Sequence, residues 1–162
     1  VVNINLNGVI NGVYKVLPLL KETNQSMIIN TGSVGSFLPV PGASVYSATK
    51  FAVRGLTEGL NIEFAKYGIK VSELNPWFTE TPILNAEQST PLMAGALQRD
   101  VIKSKSVIHT TDKVAKRVFK IYQRRGIHNV VGFTGNMAVF IMRYCPAIIR
   151  RMSRKMYADY FS

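Results

Sequence analysis

The chain has 162 residues, enough for one domain, and its 47% hydrophobic and 18% charged content excludes a disordered polymer. The net charge of +11 is lopsided: residues 1–112 hold 9 bases and 8 acids, whereas residues 113–162 hold 11 bases and 1 acid. A single cysteine, Cys145, excludes a disulfide framework and a multi-cysteine metal site.

Val1 to Lys21 reads as a helix, with Val9, Val13, Val16, Leu17 and Leu20 at three- and four-residue spacing. After the polar break Thr23–Ser26, Met27–Thr31 is a short apolar run without alternation, which predicts a strand buried on both faces. Gly32 to Gly42 holds three glycines and two prolines and reads as a loop. Ser44 to Lys66 carries the helical stripe Ala52, Leu56, Leu60, Phe64 and is closed by Tyr67-Gly68. Ile69–Leu74 is a second strand, stopped by Asn75-Pro76, and Trp77 to about Ser106 is irregular. Thr110-Thr111-Asp112 caps a helix with Val114, Val118, Ile121 and Tyr122 on one face, and Gly126 stops it. Asn129–Val131 predicts a third strand, and the chain after Gly135 reads as two helical pieces parted at Pro146. Strands alternating with helices predict an α/β fold with a parallel sheet, whose reactive groups gather beyond the carboxyl ends of the strands. Cys145 lies among apolar residues and reads as a buried small hydrophobe; His109 and His128 share no motif and read as turn or strand-end residues, so no metal is expected.

Tyr46 and Lys50 stand four apart at the start of a predicted helix and so share a face. A tyrosine is a poor base near neutrality, and a cation nearby favours its phenolate, so this spacing suits an acid/base tyrosine. Ser33, at the end of the first strand, can orient a substrate oxygen. Gly32–Ser36 lacks the Gly-Lys-Ser/Thr ending of a phosphate cradle, and Thr31 breaks the nucleophile-elbow pattern of a serine hydrolase.

The segment Ile28-Ile29-Asn30-Thr31-Gly32-Ser33-Val34-Gly35, followed by Tyr46-Ser47-Ala48-Thr49-Lys50-Phe51-Ala52, resembles the short-chain dehydrogenase/reductase family. Asn5-Leu6-Asn7-Gly8-Val9 looks like that family's helix bearing a fourth active-site residue, and Leu74-Asn75-Pro76 with Thr81 looks like its segment after the sixth strand. The resemblance implies the C-terminal part of a Rossmann-like doubly wound parallel sheet, about three strands with flanking helices. It also implies an NAD- or NADP-dependent oxidoreductase that interconverts an alcohol and a ketone by hydride transfer. Tyr46 would exchange the proton, Lys50 would lower the tyrosine pKa and bind the nicotinamide ribose, and Ser33 would hold the substrate oxygen. Asn5 would anchor a water, and Pro76 and Thr81 would border the nicotinamide. Where the family has glycine after the proline, this chain has Trp77, which either narrows the pocket or points outward. The family's glycine-rich phosphate loop has no counterpart in these residues; it belongs to about a hundred residues upstream of Val1. The chain therefore reads as incomplete, with a catalytically inactive truncated chain that acts only by binding or association as the alternative function.

Further expectations concern domains, partners and place. Residues 1–135 form the Rossmann part, with a substrate lid over about 81–106 whose apolar residues suit a lipid-like alcohol or ketone. Residues 136–162 form a basic amphipathic helical tail. In the last helix, Ile148, Ile149, Met152 and Met156 fall within about 100° of arc, and Arg150, Arg151, Arg154 and Lys155 occupy roughly 200–340°. That helix suits either packing on the domain with a solvated basic face or lying on an anionic membrane surface. No base-reading motif accompanies the charge, which argues against nucleic acid. Homo-oligomerisation is expected through helices 1–21 and 44–66, and a cytoplasmic location, peripheral on a membrane surface, fits the tail.

Overall fold

The computed structural model describes residues 1–85, 107–123, 126–156 and 158. Among them, a three-stranded parallel sheet has the order β1 (Met27–Thr31), β2 (Lys70–Asn75), β3 (His128–Val130). The register pairs Ile28 with Val71 and Glu73 with His128. The second and third strands are displaced by one residue from the sequence expectation. Ile69 has left the ladder, its N–H turned back onto Phe64 O, while Asn75 stays in register opposite Val130.

Among the described residues, five α-helices flank the sheet: α1 (Gly8–Glu22), α2 (Ser44–Glu63), α3 (Thr111–Gln123), α4 (Phe133–Tyr144) and α5 (Pro146–Met156). The first predicted helix is two pieces, because a π turn over Asn3–Asn7 precedes α1. The polar break after α1 closes that helix with side chains: Thr23 Oγ1 donates to Leu19 O (2.8 Å) and Ser26 Oγ to Leu20 O (2.9 Å), satisfying carbonyls that a helix end leaves free. Gly68 adopts φ +71° after the short turn Ala65–Tyr67, a left-handed conformation open to glycine at little cost.

Alternation along β2 divides the interior. Val71 joins Val13, Leu60, Phe64 and Ile69 under α1 and α2 on one face. Leu74 joins Ile121 and Val131 under α3 on the other. A third cluster, Val34, Leu38 and Val130, lies at the carboxyl end of the sheet and is covered by Ala138, Val139 and Met142 of α4 and Ile149 of α5. His128 begins β3, whereas His109 lies outside the named strands in an isolated parallel bridge with Thr79. Cys145 departs from expectation: it is exposed. Helix α4 ends at Tyr144, and its cap at Cys145 (φ −136°, ψ 58°) breaks the periodicity that carries Ala138 and Met142 onto the core.

Candidate active site

Three chain segments end at one place. β1 runs out at Thr31 and turns through Gly32 and Ser33 into a single 3-10 turn, Val34–Ser36. β2 runs out at Asn75-Pro76, whose Pro76 carbonyl accepts from Val34 N (3.0 Å). The first turn of α2 brings in Tyr46: a Cβ placed on Gly35 would stand 3.3 Å from both Ser33 Oγ and Tyr46 Cε1. The hydroxyl and the phenol ring thus flank one glycine that leaves room for both. Ser33 Oγ accepts from Gly35 N (3.0 Å), which leaves its O–H as a donor.

Lys50 lies one turn further along α2. Its Nζ is 5.7 Å from the Tyr46 ring centroid and donates to Thr31 O (2.8 Å). Burial lowers the Lys50 pKa from its ordinary value, and the Glu73 carboxylate works in the opposite direction. Asn5, in the π turn, donates to Thr49 Oγ1 (3.4 Å), which itself donates to Tyr46 O (2.7 Å), so it joins the group beside Lys50. Thr81 is held by its own loop through Thr79 O (3.4 Å) and shares no hydrogen bond with Ser33, Tyr46 or Lys50 among the described residues. Trp77 is half-buried and packs on the third core cluster; a Cβ on Gly135 would be 3.6 Å from its Cε3, and its ring meets Phe78 edge-on at 5.2 Å. The indole therefore wedges between the Val34 turn and α4 instead of pointing to solvent. Of the expected lid, residues 86–106 lie outside the described residues.

Beneath Ser33 lies a buried polar assembly that motif reading missed. Glu73 is fully buried in the central strand. Its Oε1 accepts from Ser36 Oγ (3.2 Å), and its Oε2 accepts from Asn75 Nδ2 (3.0 Å). The Ser33 N–H is shared between Ser36 Oγ (3.2 Å) and Asn75 Oδ1 (3.1 Å). Each oxygen of Glu73 thereby fixes one of the two acceptors that hold the Ser33 amide. The carboxylate is bonded further to His128 Nδ1 (2.8 Å), and His128 Nε2 is bonded to Glu58 Oε1 (2.7 Å) at the surface. With a carboxylate oxygen on each ring nitrogen, the protonated imidazole is the form that donates to both. The hydrogen bond to Glu73 accordingly raises the His128 pKa; burial opposes this, and the Glu58 bond reinforces it. Gly32 is where the assembly meets the turn: a Cβ there would overlap Glu73 Oε1 and Asn75 Oδ1. The available signal in the sequence was Glu73 itself, the one acid in the predicted strand Ile69–Leu74.

A parallel sheet wound on both faces, with serine, tyrosine and lysine gathered at the carboxyl end of one strand, defines an open α/β fold whose reactive groups collect at one edge of the sheet. The family model described as short chain dehydrogenase matches residues 1–92, and the chain belongs to that family. It is 39% identical over 84 residues to levodione reductase of Leifsonia aquatica, covering 52% of this chain and 32% of that protein. Its fold matches a short chain dehydrogenase from Burkholderia cenocepacia J2315 in complex with NADP with a TM-score of 0.74 at 18% identity, over 93% of this chain and 56% of that one. A gluconate 5-dehydrogenase from the same organism, in complex with NADP and tartrate, matches with a TM-score of 0.65 at 28% identity, over 80% and 52%. The aligned part spans about a third of the length of the curated relatives it matches.

Proposed function

We propose that the protein carrying this chain interconverts an alcohol and a ketone, with Tyr46 as the proton-exchanging group and NAD or NADP as the hydride partner. The observation that carries this reading is the meeting of Ser33 Oγ and the Tyr46 ring on Gly35, with Lys50 one turn away. Family membership and the NADP named with the two Burkholderia structures support the cofactor class. The chain's own groups fit the nicotinamide-ribose end of such a cofactor. Lys50 is an ammonium with three donors, of which Thr31 O takes one, and it lies beside a phenol and a serine hydroxyl.

When bound, the dinucleotide supplies the carbon that gives or takes the hydride. In the oxidative direction the hydride leaves the carbinol carbon and the hydroxyl proton passes to the Tyr46 oxygen; in reduction Tyr46 returns it. The Lys50 cation favours the phenolate that accepts the proton. Ser33 donates its O–H to the substrate oxygen and steadies the charge that develops there. The amide clamp from Ser36 and Asn75 keeps Ser33 in place, which makes Glu73 a positioning residue. Lys50 would also grip the ribose, Pro76 and Thr81 would border the nicotinamide, and Asn5 would order a water behind Thr49. The exposed apolar residues Leu19 and Ile62 support self-association through helices 1–21 and 44–66.

The test is turnover of a panel of secondary alcohols and ketones with each nicotinamide cofactor, in the enzyme and in Tyr46→Phe. Turnover is expected to fall about 10²–10⁴-fold with the fold intact by circular dichroism. Normal turnover by the phenylalanine variant would overturn the proposal.

A further inference from the structure

Helix α4 is apolar on two opposite sides. One side, Gly135, Ala138, Val139 and Met142, lies toward the third core cluster. The other side carries Phe133, Met137, Phe140 and Tyr144, at spacings of four, three and four, all within about 60° of arc. All four are exposed: Phe133 by 79%, Phe140 by 58%, Tyr144 by 62%. Ile148 and Met152 of α5, a helical turn apart, are also exposed. Thr134, Asn136 and Arg143 lie between these sides, so the outer row is a second apolar stripe, separate from the one that packs on the core. A continuous exposed apolar row on a soluble domain marks a surface that meets something else.

The surrounding charge says what that is. Residues 133–156 contain five bases, Arg143, Arg150, Arg151, Arg154 and Lys155, and no acid. Arg151 and Lys155 lie on α5 directly beside Ile148 and Met152 on the helical wheel. The Arg143 guanidinium sits 5.7 Å from the Tyr144 ring, and Tyr144 packs on Phe140 at 4.8 Å between centroids. Aromatic rings and aliphatic side chains with cations along their flank match the acyl–headgroup boundary of an anionic bilayer. A second copy docked on this face about a two-fold axis would bring the two sets of five cations together, unscreened by any acid of the segment. Among the described residues no helix is long and apolar enough to cross a membrane, so the fit is to a surface. We propose that the outer face of α4 and α5 is a membrane-docking surface, with the aromatic row in the interface of an anionic bilayer and the arginines on its headgroups. The proposal is independent of the reaction assigned to Tyr46.

The experiment is co-sedimentation of the full chain with vesicles of phosphatidylcholine alone and of phosphatidylcholine with one-quarter phosphatidylglycerol. The anionic vesicles are expected to bind at least about tenfold more protein. Raising the salt weakens that preference, because it screens the headgroup charge. Phe140→Asp removes about tenfold or more of the binding, and the pair Arg151→Glu, Lys155→Glu removes the preference for the anionic lipid. Both variants alter only exposed side chains, and circular dichroism checks that they stay folded. A folded chain that remains in the supernatant with anionic vesicles overturns the proposal. So does equal binding by Phe140→Asp. Size-exclusion chromatography separates the rival occupant: a dimer split by Phe140→Asp, with no vesicle binding, makes the face a self-interface and also overturns it.

Discussion

The carboxyl end of the sheet and the two C-terminal helices invert the usual placement of residues in opposite senses. At the sheet end, Glu73, Asn75 and Ser36 are fully buried. On α4, Phe133, Phe140 and Tyr144 are exposed, as are Ile148 and Met152 on α5. Buried polar groups and exposed apolar rows are the two informative exceptions to ordinary burial. The first is closed within the chain: every oxygen of Glu73 has a donor, and the assembly ends on the Ser33 amide. The second finds no cover among the described residues. What the comparison teaches is that the sheet end is completed by its own side chains, whereas the helices are completed from outside.

The sharpest way to break that comparison is to remove the carboxylate. Glu73→Ala leaves the His128 imidazolium, the Ser36 hydroxyl and the Asn75 amide without their buried acceptor. Removing one partner from a buried charged pair costs about 3–5 kcal/mol. The urea midpoint should fall accordingly, with the slope unchanged. Phe140→Asp, at an exposed position, should move stability by no more than about 0.5 kcal/mol. If the two variants were equally stable, the sheet end would not be a self-contained unit.

The sheet was legible in the sequence for a simple reason. Met27-Ile28-Ile29 is an apolar run between turn residues, and Ile69, Val71 and Leu74 lie between Gly68 and Asn75-Pro76, so both segments read as strands. Tyr46 and Lys50 were legible because four residues on a helix is one turn, so spacing alone puts them on one face. Glu73 and His128 meet across 55 residues, and no local period reports a contact of that range. The outer row of α4 was hidden for a different reason. Both sides of that helix are apolar, so its periodicity is flat and does not say which side packs. In α5, by contrast, the separation of Ile148 and Met152 from the arginines could be read directly.

A smaller effect sharpens the account of the sheet end. The Glu73 bond raises the folded-state pKa of His128, burial works against it, and Glu58 adds to it. The folded chain therefore favours the protonated ring. Its stabilisation is complete below the ordinary histidine pKa of about 6.5 and is lost as pH rises through the raised folded value. The urea midpoint of the wild-type chain should drop as the pH rises above about 6.5, and His128→Gln should flatten that drop. A midpoint independent of pH in that range would mean that His128 is not held as an imidazolium.

The smallest effect belongs to the helices. Cys145 sits at the α4–α5 break, next to Tyr144, and is exposed. If this region is turned outward, the thiol should react fully with an aromatic disulfide reagent in the folded chain, without denaturant. Cys145→Ser should then change stability by less than about 0.5 kcal/mol, because it vacates no packed volume. A thiol that reacts only after unfolding, or a serine variant that loses more than about 1 kcal/mol, would show the break to be covered. Anionic vesicles sharpen the test further. Tyr144 and Ile148, on either side of the break, belong to the row assigned to the bilayer, so bound vesicles should slow the labelling of Cys145. Zwitterionic vesicles, which lack the charge that attracts the arginines, should leave the labelling rate unchanged.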